Sequence, residues 1–340
     1  MRVFIRCDGG IDLGTGHIVR ELLIAKELKK NAYATIEFLM KNIQEGVKRV
    51  EKEGFAVKKL FKTLTLDEEA YFINNYIKNK QADLLILDIL DTSQTYMRIL
   101  KATGVKIVSF DDHSEGNYLA DLRFNILEFE IERSAVNLYE GPRYVTLNPI
   151  YADYHEREKE IRKNANKILI TFGGSDPGNL TNKTLKSLEK IGEKLEINIV
   201  IGFAFPYTRE LQANIKNSRH KIRIYKNISA QKMAELMFEN DIGIAAGGLT
   251  QYEFASIGLP GIIICEDVQH QYELANWFEN KGVLKNLGMG KGISEEMIAS
   301  NVLELLNDYS QRQKLSRSGK LICDGRGLKR TIKKILEVIR

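Results

Sequence analysis

A histidine follows directly on a glycine turn in the stretch Gly14-Thr15-Gly16-His17-Ile18-Val19-Arg20. An apolar run, Val3–Ile5, lies before the turn, and a run with helical spacing (Ile18, Leu22, Ala25, Leu28) lies after it. A glycine turn between strand and helix lets backbone amides come close to a ligand. The helix start adds unpaired N–H groups and the positive end of the helix dipole, which suit a phosphate or a developing negative charge. A histidine in that first turn is aimed at whatever the loop holds, and an unperturbed imidazole, titrating near ~6.5, is available as a base at neutral pH. The plainer reading is a capping residue without chemistry.

Three further clusters stand at the ends of apolar runs. Asp111-Asp112-His113 follows Val108-Ser109-Phe110, Phe172-Gly173-Gly174-Ser175-Asp176 precedes a helical stretch, and Ala246-Gly247-Gly248-Leu249-Thr250-Gln251-Tyr252-Glu253 leads from strand to helix. The last is the best nucleotide candidate. Its glycines remove side-chain bulk, the amides opening the next helix suit a diphosphate, and Glu253 stands where a carboxylate can accept both hydroxyls of a ribose. No Gly-Lys-Ser/Thr follows and no G-x-G-x-x-G is present, which argues against NTP hydrolysis and nicotinamide chemistry. Asp111, Asp112 and His113 are metal ligands by type, but no second carboxylate cluster supports that use, and a polar strand end supporting the loop of His17 is the simpler expectation. Gln269-His270-Gln271 opens a helix, where side-chain amides suit sugar hydroxyls or a cap. His155 and His220 fall in charged stretches expected to be exposed and inert.

The elements that must position these residues alternate. Strands are expected at Val3–Ile5, Thr35–Met40, Leu84–Leu87, Val105–Phe110, Leu122–Asn125 and Val145–Leu147, and again at Lys167–Phe172, Ile197–Ile201, Ile222–Tyr225, Ile242–Ala245 and Gly261–Cys265. Helical stretches separate most of them: His17–Lys30, Ile43–Glu53, Asp67–Lys80, Ser93–Thr103, Asn179–Gly192, Tyr207–Lys216, Ser229–Glu239, Gln251–Ile257, Gln269–Lys281 and Glu295–Asn307. Such alternation implies parallel sheets covered on both faces. Ligands of open α/β sheets bind beyond the C-terminal ends of the strands, so two doubly wound domains in tandem are expected to face a cleft. The charged stretch Tyr154–Ala165 reads as a linker or linking helix between a domain at 1–153 and one at 165–325, with a terminal helix at 326–340 whose basic residues form a solvated face.

The 340 residues are enough for two domains of ~150 each. With 44% hydrophobic and 28% charged residues the composition is that of an ordinary globular protein. The net charge of +5 comes from basic residues scattered along helices, which does not specially imply nucleic acid. Cys7, Cys265 and Cys323 are far apart, odd in number and without metal-ligand spacing, which fits a reducing, cytoplasmic setting and, for Cys7, a small buried strand residue. No apolar run reaches the length of a membrane span, and no signal peptide is evident.

In order along the chain, Arg6, Asp8, Gly14, Thr15, Gly16, His17 and Arg20, then Ser109-Phe110-Asp111-Asp112, Phe172–Asp176 and Gly247–Glu253, resemble the UDP-sugar hydrolase of pseudaminic acid biosynthesis and related spore-coat polysaccharide proteins. More distantly they are similar to the N-acetylglucosaminyltransferase of peptidoglycan synthesis. The resemblance runs from about Arg2 to Val283. It implies the two-domain GT-B fold, with UDP held mainly by the C-terminal domain and neither metal nor cofactor. It implies His17 as the catalytic residue that activates water, Gly16 as the turn beside it, Gly247, Gly248, Leu249 and Thr250 as the diphosphate site, and Glu253 as the ribose contact. Gln271, with Ala275 and Asn276, resembles the sugar-contacting helix start. Asp8, Gly14, Thr15, Arg20, Asp112, Gly173, Gly174 and Ser175 complete the expected substrate-binding set. Where the hydrolases continue with Asp-His-Tyr, this chain reads Asp88-Ile89-Leu90-Asp91.

The function expected is therefore an inverting, metal-independent UDP-sugar hydrolase releasing UDP and a free amino-sugar for surface glycan synthesis of the nonulosonic acid type. A GT-B glycosyltransferase using the same donor is the alternative, favoured by the missing His-Tyr. A non-catalytic nucleotide-sugar binding protein is the third. Neither the sugar nor the oligomeric state is legible.

Overall fold

The computed structural model describes residues 1–10, 16–125 and 137–339. They form two compact units, residues 1–147 with 326–340, and residues 148–325.

In the first unit seven parallel strands, β1 (Arg2–Cys7), β2 (Thr35–Lys41), β3 (Ala56–Leu60), β4 (Leu84–Asp88), β5 (Lys106–Phe110), β6 (Leu122–Asn125) and β7 (Leu138–Glu140), lie in the order 3-2-1-4-5-6-7. The central strands are buried on both faces, so alternate residues serve two cores. Val3, Ile5 and Cys7 join Ile36, Phe38 and Ile86 on one side, under α1 (Gly16–Ala32) and α2 (Gln44–Lys52). Phe4, Leu39, Leu85 and Leu87 join Ile73, Ile77, Met97 and Leu100 on the other, under α3 (Leu66–Asn79) and α4 (Gln94–Lys101). The C-terminal helix, Gly327–Ile339, returns to this unit and buries Leu328, Ile332 and Ile335 in the first core.

In the second unit β8 (Lys167–Thr171), β9 (Glu196–Ile201), β10 (Lys221–Lys226), β11 (Ile242–Ala245), β12 (Gly261–Cys265) and β13 (Lys285–Met289) are parallel in the order 10-9-8-11-12-13. The helices are α5 (Ile150–His155), α6 (Leu180–Leu188), α7 (Thr208–Lys216), α8 (Ala230–Glu239), α9 (Thr250–Ile257), α10 (Gln269–Asn280), α11 (Glu295–Asn307) and α12 (Tyr309–Ile322). In each unit the strand order reverses once, between β1 and β4 and between β8 and β11. The C-terminal ends of those neighbouring strands open the crevice in which doubly wound sheets bind ligands.

Several expectations needed correction. Val145–Leu147 is apolar because it is buried, but it is irregular, and the seventh strand is β7 instead. β3 and β13 were not foreseen. Both are edge strands with polar or charged residues, so neither shows the continuous apolar run of a central strand. The expected linker begins inside α5, and its later part is pinned to the second unit. Lys159 Nζ donates to the carbonyls of Met237, Phe238 and Asn240 at 3.2, 2.5 and 2.7 Å, and Arg312 Nη2 donates to those of Arg162 and Lys163 at 2.7 and 3.1 Å. His220 is buried, not exposed: its Nδ1 accepts from Leu195 N at 3.2 Å and its Nε2 lies 2.9 Å from Leu188 O. Cys7, Cys265 and Cys323 are buried.

Candidate active site

At the reversal point of the first sheet, Cys7 of β1 pairs in register with Asp88, the last residue of β4. The apolar run Leu84–Leu87 therefore delivers a fully buried carboxylate beside the start of α1, whose first turn carries His17. His17 Nδ1 lies 2.6 Å from Asp88 Oδ1. Arg20, one turn on, donates from Nε to Asp88 Oδ2 at 2.8 Å and from Nη2 to Asp88 Oδ1 at 2.6 Å, and its Nη1 reaches Asp111 at the end of β5. The guanidinium also lies over the Phe110 ring, 5.2 Å from its centroid.

The electrostatics give each group a protonation state. Burial by itself would raise Asp88, but Arg20 and His17 outweigh it and hold the carboxyl well below its ordinary range. Asp88 is therefore an anion with no proton to give, so His17 Nδ1 must be the donor, and Nε2 is left as the basic nitrogen. Asp88 raises the His17 imidazolium, while burial and Arg20 oppose it. With a quarter of its side chain exposed (26%), the ring keeps a path to solvent. Burial, then Asp88, pushes Glu21 well above the carboxylate range, so the neighbour of Arg20 is neutral.

Asp8 and Asp112 have protein partners. Asp8 Oδ1 accepts from Lys41 N at 2.8 Å, and its Oδ2 pairs with Arg6 Nη2 at 2.7 Å. Arg6 is itself buried and also held by Glu69 at 2.7 and 3.0 Å. Asp112 accepts from the Thr92 hydroxyl and from Ser114 N and Oγ at 2.9 and 2.5 Å, while its carbonyl accepts from Asn117 Nδ2. That knot clamps the β4–α4 loop, which presents Leu90 and Asp91 to solvent immediately after Asp88. Gly14 and Thr15 lie outside the described residues.

At the reversal point of the second sheet, the loops after β8 and β11 meet the end of β12. A side chain at Gly247 would stand 2.8 Å from Gln271 Cβ and 2.9 Å from Cys265 Sγ, so only glycine fits. At Gly248 and Gly173 a Cβ would meet nothing within 4 Å. The first glycine thus packs the loop against α10 and β12, while the other two leave bare backbone facing open space. The amides of residues 247–250 precede the first helical bond of α9, Gln251 N to Gly248 O. Gln251 is completely buried, with neither amide atom partnered within the described residues.

Glu253, in the first turn of α9, hydrogen-bonds with the hydroxyls of Tyr151 and Thr250, and burial raises its carboxyl to about 7. Gln271 Oε1 accepts from Glu266 N at 3.1 Å. Ala275 is buried, and Asn276 Oδ1 accepts from Asn286 Nδ2 at 2.7 Å. Ser175 and Gly174 are half-buried in the β8–α6 loop. That loop contains Asp176, whose Oδ1 and Oδ2 accept from Leu180 N and Thr181 N at 2.7 and 2.9 Å. Glu266, at the end of β12, shares a hydrogen bond with Asp176 and accepts from Gly178 N at 3.0 Å; burial and Asp176 raise it to about 7. Among the described residues no group of three or more His, Cys, Asp or Glu side chains is disposed to hold a metal ion, and no helix is long and apolar enough to cross a membrane.

Residues assigned no role of their own from sequence are Asp88, Asp176, Glu266 and Tyr151. For Asp88 the signal was present: an acid terminating a wholly apolar strand, where burial of a charge demands partners.

Residues 168–322 match the C-terminal domain of glycosyltransferase family 28. Over 341 residues the chain is 29% identical to the spore coat polysaccharide biosynthesis protein SpsG of Bacillus subtilis, covering 96% of each. Over 288 residues it is 28% identical to the UDP-2,4-diacetamido-2,4,6-trideoxy-beta-L-altropyranose hydrolase of Campylobacter jejuni, covering 83% of this chain and 97% of that one. It is 32% identical over 283 residues to an uncharacterized protein of Methanocaldococcus jannaschii, covering 78% of this chain and 56% of that relative's length. Among solved structures, MurG of Acinetobacter baumannii superposes with a TM-score of 0.76 over 99% of both chains at 13% identity, a likeness of fold. The chain thus has two parallel-sheet, Rossmann-like domains of the GT-B type. It is related to a UDP-sugar hydrolase and to a protein of polysaccharide biosynthesis.

Proposed function

We propose that this protein is an inverting UDP-sugar hydrolase whose general base is His17, releasing UDP and a free amino-sugar for surface glycan synthesis of the nonulosonic acid type. The observation that carries the reading is the Asp88–His17 pair. A buried anion accepts the hydrogen bond from Nδ1–H and leaves Nε2 as a lone-pair base on a partly exposed ring. In the step proposed, Nε2 takes a proton from water as its oxygen attacks the anomeric carbon. The bond from that carbon to the β-phosphate oxygen breaks with inversion, and the electron pair leaves with UDP.

On the second unit, the bare backbone at Gly248 and Gly173 and the amides of residues 247–250 are suited to take the diphosphate and its developing charge. Glu253 accepts the ribose hydroxyls, and Gln271 with Asn276 contacts the sugar. Asp8 and Asp112 act through the loops they tie down, and Arg20 acts by pairing with Asp88. The likeness to the Campylobacter hydrolase supports hydrolysis. Transfer to an acceptor hydroxyl by the same base is the second reading, favoured by Ile89-Leu90 standing where those hydrolases carry His-Tyr.

The test is a mass-spectrometric screen of UDP-sugars with and without glycan acceptors, repeated with His17→Asn. Hydrolysis predicts UDP and free sugar without acceptor. His17→Asn should lose turnover, by about 10²–10⁴ for a general base, while UDP affinity stays within about twofold. Equal loss of turnover and UDP binding would make the histidine structural.

A further inference from the structure

We infer that Tyr151 is a positioning residue for nucleotide recognition: its hydroxyl holds the Glu253 carboxylate in the orientation that accepts the two hydroxyls of a ribose. The inference rests on the ribose role proposed for Glu253. Tyr151 sits on α5, which is fixed to α9 through Ser256. Ser256 Oγ donates to Tyr151 O at 3.2 Å, and His155 Nδ1 lies 3.0 Å from Ser256 O. Gly325, at a positive φ of 69°, brings its backbone so close that a Cβ there would stand 2.6 Å from Ala152 N and 2.9 Å from Ser256 Oγ. Tyr151 is therefore a buried phenol on a locked helix, and such a hydroxyl needs a partner. Its partner is Glu253, which the Thr250 hydroxyl engages as well. A carboxylate has about four acceptor positions, so two hydroxyl donors fix its plane and still leave capacity for a ligand.

The protonation chemistry makes the role measurable. Burial raises Glu253 to about 7, and the Tyr151 and Thr250 hydrogen bonds pull the other way. Charged groups on the packed elements act elsewhere. His155 of α5 reaches Ser256, the Lys320 stem of α12 lies against Gly258, and Lys232 of α8 pairs with Glu235 at 3.0 Å. Ribose hydroxyls donate best to the ionised carboxylate, so ribose recognition strengthens as pH rises through the neutral range. Without the Tyr151 hydroxyl the carboxylate titrates higher and is less well oriented.

The test measures dissociation constants of UDP and 2′-deoxy-UDP by calorimetry from pH 6 to 9 for the full chain, for Tyr151→Phe and for Glu253→Gln. The ratio of the two ligands cancels titration of their common diphosphate. The wild type should prefer UDP by about tenfold at high pH, as for a hydrogen bond to a charged group, with the preference fading toward pH 6. Tyr151→Phe, which keeps the buried ring, should shrink that preference and move its midpoint to higher pH. An unchanged preference and midpoint in Tyr151→Phe, alongside a clear one in the wild type, overturns the positioning role and leaves the ribose reading standing. No preference in the wild type, with Glu253→Gln binding both ligands equally well, overturns the ribose reading itself.

Discussion

Replacing Asp88 by asparagine separates what this carboxylate does for catalysis from what it does for the fold. Asp88 accepts from His17 Nδ1 at 2.6 Å and from Arg20 Nε and Nη2 at 2.8 and 2.6 Å. An asparagine keeps one acceptor oxygen, so its N–H₂ must face donors: Arg20 Nε if the oxygen stays in the place of Oδ1, or His17 Nδ1 and Arg20 Nη2 if the oxygen turns to Arg20 Nε. In the second orientation the N–H₂ favours the tautomer with the proton on Nε2, which cannot act as a base; in the first the imidazolium formed on proton uptake has lost the anion beside it. Loss of general-base assistance costs about 10²–10⁴ in kcat, or about 3–5 kcal/mol of barrier at 1.36 kcal/mol per decade.

The folding cost is smaller. Asp111 still pairs with Arg20, so one charge-assisted hydrogen bond is lost, at about 1.5–3 kcal/mol. The total stability of a domain is ~5–15 kcal/mol, so the variant still folds. Asp88 also raises the His17 imidazolium, so its removal lets the base deprotonate at lower pH and shifts the acid limb of the residual rate downward. The assay is UDP release from the UDP-sugar that the wild type consumes, from pH 5 to 9, with thermal denaturation alongside. A kcat within about threefold of wild type and an unmoved acid limb would refute the assignment of Asp88 to the base.

Two further outcomes are expected. Gly247→Ala forces a methyl to 2.8–2.9 Å from Gln271 and Cys265; it should cost about 1–3 kcal/mol by overpacking and weaken UDP binding, whereas Gly248→Ala should leave stability unchanged and weaken only binding. Glu266 is raised to about 7 by burial and Asp176, so its stabilising protonated form is fully present below its unfolded value and lost as pH rises through 7. Glu266→Gln should therefore match the wild-type melting temperature at pH 5 and exceed it at pH 8, and a lower value at both would show that the shared proton is not what the amide replaces.

The chain's own pattern determined the architecture and the glycine turns. Apolar runs such as Leu84–Leu87 and Ile242–Ala245 announce strands buried on both faces, and the helical spacing after His17 announces α1. A central parallel strand is apolar throughout, so its identity is written locally. The edge strands β3, β7 and β13 are half-solvated and carry no such signature, which is why they were invisible. Tertiary structure alone decided which groups the histidine meets. Asp88 lies 71 residues from His17 and reaches it only because β4 lies beside β1, and Asp111 meets Arg20 only because β5 lies beside β4. Glu253 and Tyr151 likewise meet through the packing of α5 on α9. Pairing across a sheet or between helices sets these distances, and no spacing along the chain encodes them.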